Sequence, residues 1–268
     1  MGTFKENVTI ITGASSGIGY ALALKLAEQG AWLTLAARSE DKLQELAKKC
    51  RKLGGRAIVV PTDVAQEAQC KTLIDRTVEE YGRIDTLYNN AGITIWALFE
   101  EMQVLHPFEA VMRVNYLGSV YCTHYALPYL KETKGRIVAV SSMAGKTGVP
   151  FRSGYSGSKH AIVGFFETIR IELKKYGISV TLIFPDFVKT NTRLKAFGAD
   201  GEQIKKRPMR EGKRMMTVDT AADLILKAVG KRKRELLMSG RGKLGMWVKL
   251  IAPSIVDRIA KRAVEKGK

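Results

Sequence analysis

Val8-Thr9-Ile10-Ile11-Thr12-Gly13-Ala14-Ser15-Ser16-Gly17-Ile18-Gly19 is the stretch whose reading decides the fold. Its opening Val8-Thr9-Ile10-Ile11 is apolar and β-branched, which reads as a short buried strand. Glycines follow at once, and Ala21, Leu22, Leu24, Leu26 and Ala27 then recur at helical spacing as far as Gly30. Strand, glycine-rich turn and helix in that order aim backbone N–H groups and a positive helix end at one point, which suits a phosphate. Glycine there permits a tight turn and close backbone approach. The spacing is Gly-x-x-x-Gly-x-Gly rather than the Gly-x-Gly-x-x-Gly of the common dinucleotide fingerprint. Gly13, Ser15, Ser16, Gly17, Ile18 and Gly19 are the candidate phosphate-binding residues.

Working outward, the next apolar run is Trp32 to Ala37, and it ends at Arg38. Dinucleotide sites place an acidic residue about 20 positions beyond the glycines to bind the ribose 2′-hydroxyl. Here a guanidinium stands where that carboxylate would be, and Arg grips a 2′-phosphate with paired hydrogen bonds. The reading is NADP(H) over NAD(H). Further strands are expected at 57–60, 84–88, 137–140, 179–183 and 236–238, with helical stretches between them. One long helix is expected over about 108–130. The alternation predicts an α/β fold, a Rossmann-like doubly wound parallel sheet with helices on both faces. A chain of 268 residues, 46% hydrophobic, suffices for one such domain with a small appendage.

The chemistry is concentrated in Tyr155-Ser156-Gly157-Ser158-Lys159, with Ser142 thirteen residues upstream. Residues i and i+4 share a helix face, so the Lys159 ammonium can sit beside the Tyr155 phenol. A neighbouring cation favours the ionised phenol and draws its pKa down from about 10 toward working pH. A phenol so tuned exchanges a proton with a substrate oxygen.

Taken together these motifs resemble the short-chain dehydrogenase/reductase family, from about residue 5 to about residue 240. Thr12 to Gly19 is similar to the family's cofactor loop. Asp63, with Val64 beside it, matches the acid near the adenine. Asn89-Asn90-Ala91-Gly92 matches the Asn-Asn-Ala-Gly element, putting Asn90, Ala91 and Gly92 at the cofactor. Asn115, Ser142, Tyr155 and Lys159 match the catalytic tetrad. The resemblance implies that Tyr155 is the general acid in carbonyl reduction and the base in reverse. Lys159 would lower the Tyr155 pKa and hold the nicotinamide ribose. Ser142 would polarise the carbonyl, and Asn115 would hold a water that relays protons from Lys159 to solvent. Pro185, Val188 and Thr190 match the nicotinamide loop, but Asp186 stands where the family usually has glycine. The implied layout is a catalytic domain over 1–240, with a substrate lid at about 190–215, and an extension over 241–268. Dimer or tetramer formation through the 108–130 helix and the Tyr155 helix is also implied.

The net charge of +18 is uneven. Residues 1–192 carry 23 basic and 18 acidic side chains, 193–214 carry eight and three, and 231–268 carry twelve and three. The first basic stretch coincides with the lid. It reads either as a solvated loop or as a contact for an anionic substrate or carrier. In the tail, Leu244, Trp247, Val248, Ile251, Ile255, Ile259 and Ala263 recur at helical spacing, interrupted by Pro253. The run is too short to cross a bilayer, which takes about 20 apolar residues. Packing on the domain or a second subunit, and peripheral docking on an anionic membrane, both stay open. Nucleic acid is not expected, since no recognition motif or aromatic platform accompanies the charge. Cys50, Cys70 and Cys122 show no metal spacing and cannot all pair, so free thiols in a reducing compartment are expected. His106, His124 and His160 are too scattered for a metal site. No apolar targeting region precedes Val8, so a cytoplasmic location is expected.

The residues expected around the substrate are Ser142, Tyr155 and a mostly apolar set: Ile93, Ile95, Trp96, Met143, Val149, Phe151, Phe187 and Val188. Such walls favour an apolar ketone or alcohol. The first reading is an NADPH-dependent reductase of a lipid-like or steroid-like ketone. The alternatives are a 3-oxoacyl-thioester reductase acting on acyl carrier protein or coenzyme A substrates, and an idle NADP(H)-binding protein that docks on membranes or partners.

Overall fold

The five residues of β1 (Val8–Thr12) are all buried, as the continuous apolar run demands. The computed structural model describes residues 4–189, 196–204 and 215–265. After β1 the chain alternates as expected: α1 (Gly17–Ala27), β2 (Trp32–Ala37), α2 (Glu40–Lys52), β3 (Arg56–Pro61), α3 (Glu67–Tyr81) and β4 (Thr86–Asn89). Two short strands, β5 (Thr94–Ile95) and β8 (Ala196–Phe197), pair with each other away from the main sheet. The remaining main-sheet strands are β6 (Arg136–Val140), β7 (Ser179–Phe184) and β9 (Glu235–Leu237). The other helices are α4 (His106–Val111), α5 (Gly118–Glu132), α6 (Ser153–Leu173), α7 (Val218–Gly230), α8 (Gly240–Ile251) and α9 (Pro253–Glu265).

Seven parallel strands run in the order β3-β2-β1-β4-β6-β7-β9. Alternate residues of β1 serve opposite faces, because strand side chains have period two. Ile11 joins a core with Leu22 and Leu26 of α1, Leu43 and Leu46 of α2, and Ile225 of α7. Ile10 joins a second core with Leu73 and Ile74 of α3, Leu130 of α5 and Phe166 of α6. The chain leaves β1 toward β2 and β3 on one side, then crosses back through α3 to β4 and the later strands on the other. That reversal opens a crevice at the carboxyl ends of β1 and β4, where doubly wound sheets bind ligands.

The expected helix over 108–130 is interrupted. Met112–Leu117 forms a π-helical turn between α4 and α5, with Asn115 buried within it. Such turns recur at functional sites because they re-aim a side chain. The fourth strand starts two residues later than expected, because the Asp85 carboxylate is taken up by Val8 N and Arg83. β5 and β8, two residues each, lie below what periodicity can resolve. Cys50, Cys70 and Cys122 are buried free thiols, and burial pushes the Cys50 thiol up to about 12. Pro253 opens α9, a position where a missing N–H costs nothing.

Candidate active site

Thr12, the last residue of β1, staples the glycine loop to its neighbour. Its Oγ1 donates to Tyr88 O at 3.1 Å and accepts from Asn90 N at 3.0 Å and Ala91 N at 3.1 Å. Asn90 Nδ2 donates to Thr12 O at 2.8 Å. These contacts press the glycine loop onto the Asn90-Ala91-Gly92 segment so closely that two glycines are obligatory. Gly13 has φ +67°, and a Cβ there would stand 2.8 Å from Ala91 Cα. At Gly19 a Cβ would stand 2.6 Å from Asn90 Nδ2. Above the loop, the first turn of α1 presents its N–H groups to a cavity lined by Gly13, Ser15, Ser16 and Ile18.

The same cavity runs past Arg38 at the end of β2, past Asp63 and Val64, and past Asn90, Ala91 and Gly92. It ends at Ser142, Tyr155, Lys159, Pro185 and Val188. Of the residues expected in the nicotinamide loop only Thr190 lies outside the described residues, as does most of the basic stretch 193–214. Arg38 is exposed at the rim and forms no ion pair among the described residues. Ser39 lines the cavity beside it.

At the far end, α6 sets Tyr155 and Lys159 one turn apart, with Lys159 Nζ 5.7 Å from the Tyr155 ring centre. Lys159 is only 4% exposed, and Nζ donates to Val140 O at 2.8 Å. Removal from water disfavours its charged form and draws its pKa down to about 7. Ser142 Oγ accepts from Ala144 N at 3.2 Å, which leaves the hydroxyl hydrogen to donate to a substrate oxygen. Asn115 is more committed than the relay role implies. Oδ1 accepts from Ile93 N at 2.9 Å, while Nδ2 donates to Ile93 O at 3.0 Å and Ser158 Oγ at 2.9 Å. Only the second lone pair of Oδ1 is left. Gly92 lies between Asn115 and Lys159, and a Cβ on it would meet Asn115 Oδ1 at 3.2 Å and Lys159 Nζ at 3.6 Å.

The expected substrate wall is only partly assembled. Ile93 and Val188 line the cavity. Ile95 does not: it is fully buried in a small core with Ala97 and Val111, because β5 turns it inward. Trp96 stacks on Phe151, ring centres 5.9 Å apart, and both line a separate shallow cavity with Glu101, Gln103 and Asp200. Met143, Val149 and Phe187 are absent from the described lining of the main cavity. Met143 instead packs against α8, its Sδ 3.0 Å from where a Gly242 side chain would begin.

Two polar residues at this end were not anticipated as site residues. Arg152 places its guanidinium 5.4 Å from the Tyr155 ring centre and 4.8 Å from that of Trp96. The signal was its position three residues before Tyr155, one helical turn away. Asp186, which departs from the family's usual glycine, lines the cavity and accepts from Ser239 Oγ at 2.8 Å. That hydroxyl also caps α8 by accepting from Gly242 N at 2.9 Å.

The comparisons agree with this architecture. The sequence profile of the short chain dehydrogenase family matches residues 7–200. An 11-beta-hydroxysteroid dehydrogenase-like 4A of Arabidopsis thaliana is 38% identical over 262 residues, covering 95% of this chain and 84% of that protein. An 11-beta-hydroxysteroid dehydrogenase A of Sesamum indicum is 37% identical over 255 residues, covering 93% and 73%. Among solved structures, a short chain dehydrogenase/reductase from Burkholderia phymatum in complex with NAD aligns with TM-score 0.83 and 27% identity, over 95% of this chain and 96% of that one. An alcohol dehydrogenase from the archaeon Thermococcus sibiricus, complexed with 5-hydroxy-NADP, aligns with TM-score 0.74 and 26% identity, over 87% and 95%. The chain therefore belongs to the short-chain dehydrogenase family, oxidoreductases that act on alcohol and ketone groups.

Proposed function

We propose that this protein reduces the carbonyl of an apolar, steroid-like or lipid-like ketone with NADPH, and runs the reverse oxidation when conditions favour it. The observation that carries the reading is the meeting of Ser142, Tyr155 and Lys159 in one cavity with the glycine loop and Arg38. The residues present suit a nicotinamide dinucleotide: a helix N-terminus and glycine cradle for the diphosphate, Asp63 near the adenine end, Lys159 at the ribose. Arg38 with Ser39, and no acid at the end of β2, favours a 2′-phosphate. The bound nicotinamide supplies the hydride. Ser142 donates to the carbonyl oxygen and polarises it, and Tyr155 delivers its proton as that oxygen becomes an alkoxide. Lys159 and Arg152 flank the phenol and stabilise the tyrosinate left behind. Oδ1 of Asn115 offers one lone pair to a water on the return path of the proton.

Relatives named as hydroxysteroid dehydrogenases support the steroid-like substrate, as do Ile93 and Val188 in the wall. We further read 1–240 as the catalytic domain and 241–268 as an extension, with subunits joined through α5 and α6. Buried thiols suit a reducing compartment. A panel of steroid ketones, other lipid ketones and 3-oxoacyl thioesters, offered with NADPH and NADH, tests the reading. Consumption of NADPH with the apolar ketones is expected, at a higher kcat/KM than NADH gives. Preference for NADH, turnover of thioesters alone, or no turnover would each contradict it.

A further inference from the structure

α8 has two sides of opposite character. Gly242 and Lys249, seven residues apart and so on one side of the helix, face the domain. Gly242 packs on Met143, and Lys249 Nζ donates to Lys146 O. Leu244 and Ile251 are likewise seven apart but offset by two residues, which turns them about 200° around the axis. They stand 65% and 85% exposed, with Trp247 between them at 70%. α9 packs against α8 and adds the exposed Ile255 and Ile259. Leu244, Trp247 and Ile251 thus form one outward stripe on α8, with Leu250 exposed beside it at 76% and the apolar pair of α9 following in the chain. Around it stand the exposed cations Arg241, Lys243, Arg258 and Arg262, against the single acid Asp257 within 241–262.

We propose that the α8–α9 segment docks on the surface of a bilayer containing anionic lipid, with the Leu244–Trp247–Ile251 stripe in the acyl boundary and the basic residues at the headgroups. An amphipathic basic helix bearing Trp binds such a surface through both apolar burial and charge. No helix among the described residues is long and apolar enough to cross a membrane, so the segment lies on the bilayer. A second copy fits less well, because two-fold pairing through this stripe brings like charges together. The position of the segment adds a consequence. The side of α8 opposite the stripe touches Met143, next to Ser142, and its cap Ser239 holds Asp186 in the cavity wall. One helix thickness, about 10–12 Å, separates lipid from the substrate end. Delivery of an apolar ketone from the bilayer rests on the function proposed above, whereas docking is read without turnover, so either can fail alone.

Co-sedimentation of the full chain with vesicles tests the docking. Vesicles of phosphatidylcholine alone are compared with phosphatidylcholine and phosphatidylserine at about 7:3. The expected result is pelleting with the anionic vesicles, release by high salt, and a partition coefficient at least about tenfold lower for Leu244→Ser/Trp247→Ser/Ile251→Ser. Reduction of a water-soluble ketone by that variant, unchanged from the parent, shows that it is folded. Three results overturn the proposal: equal recovery in the supernatant with both vesicle types, equal pelleting of parent and variant, or a smaller oligomer for the variant with no vesicle binding by the parent.

Discussion

Lys159 is an amine that the fold holds out of water beside Val140 O and Tyr155, with desolvation disfavouring its charged form and lowering its pKa. Between about 7 and its ordinary value of 10.5, the unfolded chain holds the Lys159 proton and the folded apo-protein does not. Stability contributed at this site therefore rises with pH across that window, and the cost of burial is borne in full below about 7. Lys159→Met removes the titration, at the constant cost of leaving Val140 O without its donor. Its Tm relative to the parent should be highest near pH 6 and fall by several degrees toward pH 10, in calorimetry without cofactor. A Tm difference independent of pH would show that Lys159 is not a buried titrating group. The i, i+4 relation of Tyr155 and Lys159 was legible in the sequence because helical geometry alone sets it. The neighbouring Arg152 was not, since a guanidinium three residues upstream can point several ways. The fold places it over the rings of both Trp96 and Tyr155.

At the scale of elements, Asp186 explains its own departure from glycine. Its carboxylate ties the loop after β7 to the cap of α8 through Ser239. Ser239→Ala removes both bonds and an N-cap, a loss of about 1 kcal/mol. Backbone amides early in α8 should then exchange with deuterium about fivefold faster while those of α1 keep their rates. Unchanged exchange in α8 would mean that the cap does not hold it. The long strands and the glycine turn could be read from sequence because apolar runs and period-two burial are strong local signals. The π-turn at Met112–Leu117 and the two-residue β5 and β8 could not, because no local periodicity encodes them. Ile95 was misplaced for the same reason: β5 sends it into a core instead of the site.

For the whole molecule, the sheet order and the two flanking cores place the crevice, and the crevice places the chemistry. Charge is segregated on the same plan: residues 1–192 are nearly balanced, while 231–268 carry twelve basic and three acidic side chains. That asymmetry was plain in the sequence. Which side of the tail faces outward was not, because helical periodicity defines a stripe without saying what covers it. Gly242 and Lys249 supply the missing fact by turning the opposite side to the domain. The central claim remains that Tyr155 delivers the proton beside a bound nicotinamide. NADPH oxidation with an apolar ketone, measured for the parent and Tyr155→Phe beside NADPH binding by fluorescence titration, tests it most directly. The account predicts a kcat lower by about 10²–10⁴-fold with NADPH affinity retained; undiminished turnover by Tyr155→Phe would contradict it.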